Sequence, residues 1–181
     1  MTSVRFPILI AAALLFSGHC LAAEETTASA EEEQPSFVSS SLGKAQTTLN
    51  YALSLVGVNY KFGGKSPETG MDCSGFVSHV FRQAADMLLP HNAKAISMFG
   101  KKIAISELQP GDLVFYNTMR HAYSHVGIYL GDNKFVHSSV TGRGVEVVDM
   151  KESYWVKRFN GARRMLVSQT TSRTSSPVSP E

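Results

Sequence analysis

Cysteine is almost missing from this chain: two in 181 residues, Cys20 and Cys73. A scaffold built on disulfides is excluded. An excess of one charge is missing as well. Lys and Arg total 17 against 15 Asp and Glu, a formal net charge of +2, with no basic block. That excludes nucleic acid as a partner. There is no internal repeat. Long apolar runs are also absent: the one from Pro7 to Phe16 is too short for a membrane span.

What that short run does fit is an export signal. Residues 1–23 place Arg5 ahead of the run and small residues after it, the layout of a secretory signal peptide. Cleavage after Ala22 or Ala23 removes Cys20. His19 directly before Cys20 does not suit lipid attachment. The expectation is an exported protein of the periplasm or cell envelope, with no transmembrane span in the mature chain. Residues 24–42 are acidic and Ser/Thr-rich, and 168–181 repeat Ser, Thr and Pro; both read as disordered. Residues 43–167 remain as one domain. Its single thiol, Cys73, is either a reactive nucleophile or a small buried hydrophobe. The flanks Asp72, Ser74 and Gly75 argue against a purely apolar site.

Within the domain, Leu49, Ala52, Leu53 and Val56 recur at helical spacing over 44–56, and Gly57 closes the helix. A Gly-rich loop follows to Met71. From Ser74 the pattern is helical again. Phe76, Val77, Val80, Phe81, Ala84 and Leu88 form a stripe that Pro90 ends, and 93–99 suggest a short helix. The period then changes to two. Strands are expected at 112–117, 124–131, 134–139, 144–148 and 162–167, with a helical turn at 151–156. Val126, Ile128 and Leu130 share one strand face. Helices first and an antiparallel meander second is an α+β order, with the cysteine helix packed on one face of the sheet.

A thiol where a helix begins meets the positive end of the helix dipole, which favours the thiolate. The free amides there point at the place where an oxyanion forms in acyl transfer. A nucleophile also needs a base. His79 lies six residues along the helix from Cys73, about 240° around it, and points away. His91 beside Pro90 reads as a solvated helix end, and His121 as a loop residue. His125 and His137 sit on strands joined through Gly131-Asp132-Asn133. They share a face only if paired residue numbers have an even sum, most simply through a three-residue loop 131–133 with Leu130 opposite Lys134 and Gly127 opposite His137. The two histidines are then diagonal neighbours roughly 7 Å apart at the backbone. A two-residue Asp132-Asn133 turn would put them on opposite faces. Asn133 supplies a left-handed position, and Gly127 leaves room for the second imidazole. Two other readings stay open: histidines that merely pack, and a Cys-His-His zinc site.

The segments "YKFGGKSPETGMDCSGFVSHVF", "LQPGDLVFY", "SHVGIYLGDNKFVHSS" and "GVEVV", in that order, resemble the NlpC/P60 family of bacterial cell-wall cysteine peptidases. The resemblance covers about residues 44–165. It implies a papain-like core and a triad of Cys73 as nucleophile, His125 as base and His137 as third member. Tyr60 matches a family tyrosine held to sit over the nucleophile and help hold the oxyanion. Asp72 and Ser74 match positions that in some members bind the amino end of a stem peptide; Asp72 also suits a helix cap. Gly111-Asp112 matches a structural turn.

The implied reaction is hydrolysis of peptidoglycan stem peptides through a thioester, at the bond between γ-D-glutamate and a diamino acid such as meso-diaminopimelate. It needs no metal or cofactor, and a monomer is expected. Lys65, Arg120 and Arg143 are loop cations that could meet stem carboxylates; ordinary solvated charge is the simpler account of them. Two other classes compete: a CHAP-like N-acetylmuramoyl-L-alanine amidase using the same Cys-His pair, and a non-catalytic envelope binder or adaptor.

Overall fold

The computed structural model describes residues 34–141 and 143–165. The expected signal peptide, leader residues 24–33 and the tail lie outside the described residues. The first helix, α1, spans Gln34–Ser54 and so takes in residues 34–42, which their composition assigns to the disordered leader. Pro35 stands in its first turn, where a missing N–H is tolerated. The buried face of α1 and the turn after it carries Thr48, Leu49, Ala52 and Leu55, whereas Leu53 and Val56 are exposed. The helix stops at Ser54, so Val56 lies in the turn that Gly57 closes at φ +91°.

A two-residue ribbon, β1 (Lys65–Ser66) with β2 (Gly70–Met71), leads into α2, Cys73–Ala85. Phe76, Val77, Val80, Phe81 and Ala85 of α2 are buried. The helix ends before Pro90, because Asp86 adopts a left-handed conformation at φ 51° and its N–H bonds the Phe81 carbonyl. Leu88 therefore falls outside the stripe and is 81% exposed. A short helix, α3, follows at Ala93–Ile96.

The second half is one antiparallel sheet. Its strands are β3 (Lys101–Ile103), β4 (Leu113–Tyr116), β5 (His125–Gly131), β6 (Lys134–Ser139), β7 (Gly144–Asp149) and β8 (Phe159–Arg164), in the order β3-β8-β4-β5-β6-β7. A single-turn helix, α4 (Ser153–Val156), precedes β8. β3 has no counterpart in the sequence reading, since three residues carry too little alternation to register. The sheet buries both faces. Leu113, Phe115, Val126, Ile128, Val136 and Val145 pack with α1 and α2. Val114, Tyr116, Phe135 and Ala162 pack with Trp155 of α4. The protein is thus an α+β fold with the cysteine helix on one sheet face. Among the described residues no helix is long and apolar enough to cross a membrane.

One ion pair fastens the sheet. Asp112, 2% exposed, accepts from Arg164 Nε at 2.8 Å and from Nη2 at 2.7 Å, and also from the Gln109 N–H at 2.8 Å. This joins the turn before β4 to the end of β8. Removing Arg164 strands a buried carboxylate, a change that costs roughly 3 kcal/mol. Arg164→Ala is therefore expected to lower the urea midpoint by about that equivalent; a midpoint equal to wild type would show that the bridge contributes nothing.

Candidate active site

Cys73 is the first residue of α2, and the residue before it organises the surroundings. Asp72 is the N-cap, in extended backbone at φ −85° and ψ 178°. Its Oδ1 accepts from the Gly75 N–H at 2.7 Å, the Ser74 hydroxyl at 2.9 Å and His91 Nε2 at 3.0 Å. Its Oδ2 accepts from the Gly63 N–H at 3.0 Å. One carboxylate thus caps the helix and ties down the Gly-rich loop. Close backbone approach completes the joint: a Cβ on Gly75 would collide with the Gly64 carbonyl, and one on Gly64 with the Gly70 carbonyl. Ser74 is buried and turned toward Asp72. His91 is no solvated terminus but a partner of Asp72. The sequence carries no signal for this contact beyond the need of a capping carboxylate for donors.

The sulfur of Cys73 meets opposing influences. Burial, the larger, raises the thiol pKa to about 11, and the nearby Asp72 charge adds to it. The backbone N–H groups of Val126, Ser74 and Cys73 itself oppose this by favouring the thiolate. The expectation that a helix start lowers the pKa is therefore overturned: the amides are in place, but desolvation outweighs them. Val126 directly follows His125, so its amide at the sulfur brings the start of β5 to the N-terminus of α2. Tyr60 joins the same cluster. Its phenol pKa is raised first by burial, then by the charges of Cys73 and Asp72, so the hydroxyl keeps its proton and lies within electrostatic reach of both.

His125 and His137 are together. His125 Nε2 lies 2.7 Å from His137 Nδ1, with the rings edge to face and centroids 4.8 Å apart. The register responsible pairs Ile128 with Val136 and Tyr129 with Phe135, the even sum that sharing a face requires. The loop differs from expectation. Gly131 pairs with Lys134, so Asp132 and Asn133 form a two-residue turn at φ 49° and 60°, and the register shifts between Tyr129 and Gly131. The extra residue, Leu130, makes a bulge that restores the parity such a turn would break. Gly127 also acts differently: a Cβ there would meet the Phe135 ring at 2.6 Å, not an imidazole.

Both rings are sealed by aromatics. Trp155 stacks on His125, with centroids 5.8 Å apart, and stands edge-on to His137 at 5.0 Å. Burial lowers the pKa of His125 and, with repulsion from His125, that of His137. Burial thus favours the neutral form of both rings. The Nε2 of His125 is engaged by His137, and Nδ1 is its remaining ring nitrogen. Nitrogens facing each other at 2.7 Å share a proton and cannot both turn lone pairs to one ion, so the zinc reading does not fit this donor set.

The other histidines and the loop cations divide clearly. His79 accompanies Tyr51, whose hydroxyl is 2.9 Å from Nε2, as a tie between α1 and α2. His121 is exposed. The Arg143 carbonyl accepts from the Tyr60 N–H at 2.9 Å, which brings that loop alongside Tyr60. Lys65 and Arg120 are exposed, Lys65 on β1 and Arg120 in the loop between β4 and β5.

Comparison with known proteins places the chain in a family. The NlpC/P60 family profile matches residues 57–164. Over 110 residues the chain is 46% identical to murein DD-endopeptidase MepS/murein LD-carboxypeptidase of Escherichia coli, covering 61% of this chain and 57% of that protein. Over 128 residues it is 35% identical to murein DD-endopeptidase MepH of the same organism, covering 69% and 47%. It is 40% identical over 110 residues to gamma-DL-glutamyl hydrolase of Bacillus subtilis, covering 60% and 26%. The matched part is thus about half the length of the E. coli proteins. Among solved structures, an NlpC/P60 family protein of Bacillus cereus superposes with a TM-score of 0.63 at 29% identity, covering 67% of this chain and 40% of that one. With a profile match spanning more than half its length and a helix-on-sheet fold shared with that structure, the chain belongs to the NlpC/P60 family.

Proposed function

We propose that this protein is an exported cysteine endopeptidase that hydrolyses the peptide stems of peptidoglycan. The observation that carries the reading is the 2.7 Å His125–His137 bond on the strand whose second amide points at the sulfur of Cys73. Export rests on the composition of residues 1–23.

The chemistry starts from a neutral pair. His125 Nδ1 takes the thiol proton as sulfur attacks the scissile carbonyl carbon, so charge separates during the attack. The oxyanion is met by the Cys73 amide and the Tyr60 hydroxyl. Collapse expels the amine, which His125 protonates. Water, deprotonated by His125, then cleaves the thioester. His137 holds the His125 ring and its tautomer.

The proposed bond is that between γ-D-glutamate and the diamino acid, in keeping with the name of the Bacillus relative. A second reading is the crosslink between stems, in keeping with the names of both E. coli relatives. One contact favours it. Asp72 already accepts four hydrogen bonds, which leaves little capacity for the free amine of a released stem.

Residues 24–181 and their Cys73→Ala and His125→Ala variants, incubated with defined monomeric and crosslinked muropeptides and read by mass spectrometry, test the proposal. Parent-only cleavage is expected, with each variant slowed by about a thousandfold or more; the product masses identify the bond. Folded parent that leaves every substrate intact would overturn the reading. The resting protonation state is separately measurable. Alkylation of Cys73 by iodoacetamide is expected to accelerate roughly tenfold per pH unit from pH 7 toward a thiol pKa of about 11, because only the thiolate reacts. A rate already level at pH 7 would mean a preformed ion pair instead.

A further inference from the structure

Two neutral imidazoles joined by one hydrogen bond have two arrangements, and only one is productive. In the first, His125 Nε2–H donates to His137 Nδ1. His125 Nδ1 is then bare and able to take a proton, and His137 carries its own proton on Nε2. In the second, His137 Nδ1–H donates to His125 Nε2, and His125 carries its own proton on Nδ1, where it cannot act as a base. Nothing within the pair prefers the first arrangement.

The environment of His137 does. Its Nε2 is buried and has no hydrogen-bond partner among the described residues, while the ring is fully inaccessible to solvent. Glu146 Oε1 on the neighbouring strand lies 3.6 Å from that Nε2, just beyond hydrogen-bond length. The sheet register places Glu146 directly opposite His137. Its side chain is 35% exposed, so the carboxylate can stay hydrated on one side while facing the ring on the other. A carboxylate there attracts an Nε2–H and repels a bare Nε2 lone pair. It also supplies the negative charge that a Cys-His-His set lacks once His125 has accepted the thiol proton.

Building on the function above, we propose that Glu146 is a positioning residue, acting through His137 to select the tautomer pair that leaves His125 Nδ1 free as a base. The reaction then runs along a four-residue line, Cys73, His125, His137 and Glu146. Glu146 touches neither the sulfur nor the substrate.

The test uses residues 24–181 with 15N-labelled histidine imidazoles, in wild type, Glu146→Gln and Glu146→Thr. Threonine keeps strand propensity and removes the carboxylate; glutamine keeps the shape and removes the charge. Two-bond 15N–1H spectra distinguish Nδ1–H from Nε2–H. The His137 proton is expected on Nε2 in wild type and shared with Nδ1 in both variants. On the muropeptide cleaved by wild type, kcat is expected to fall on the order of tenfold with KM within about twofold. A wild-type proton on Nδ1 of His137, or an unchanged Nε2–H tautomer in the variants, overturns the proposal. So does a kcat unchanged in the variants when wild type turns over. The spectra need no turnover, so an inactive parent would count against the proposed reaction while the tautomer still decides the role of Glu146. If the threonine variant does not fold, the isosteric glutamine variant decides alone.

Discussion

The hydrogen bond between His125 and His137 exists because β5 and β6 pair in an even register, and side chains on paired strands share a face only in such a register. A slip by one residue would turn Val126 and Ile128 out of the core they share with α2, and would move both imidazoles away from Trp155. The cost of exposing that apolar face holds the register, and the register holds the rings. The bulge at Leu130 lets a tight turn coexist with it. Core packing and site geometry are therefore one constraint read from the two faces of a single hairpin.

The second organising element is the Asp72 carboxylate. It spends its hydrogen-bonding capacity on the helix end, the Gly63 amide, Ser74 and His91. That fixes where the first turn of α2 points its free amides, and Cys73 sits in their midst. The sulfur is stabilised as an anion by these donors and destabilised by its burial, and burial wins in the resting protein. Under the proposed reaction, such a site is organised for the charge of the attacking state more than for that of the ground state, which is the condition for lowering a barrier.

Much of this was legible in the residues. The thiol at a helix start and the strand positions of the two histidines follow from periodicity and spacing, whereas the parity that unites them followed only from requiring the two rings to share a face. What escaped has physical reasons. A bulge adds a residue without altering the alternation on either side, so Leu130 left no mark in the pattern. Desolvation depends on everything folded around an atom, and the local sequence around Cys73 showed only the opposing dipole. His91, nineteen positions beyond Asp72, and Trp155, on a different element from both imidazoles, meet the site only through tertiary packing. Leu88 continued the helical period, but the left-handed Asp86 had already ended the helix.

A thiol that stays protonated at rest has a consequence for durability. Peroxides and disulfides attack or are attacked by the thiolate, and susceptibility follows thiolate character and exposure. Cys73 is half-buried, has no second cysteine among the described residues, and its burial favours the thiol over the thiolate. The same burial that opposes ionisation thus shields the sulfur from oxidants.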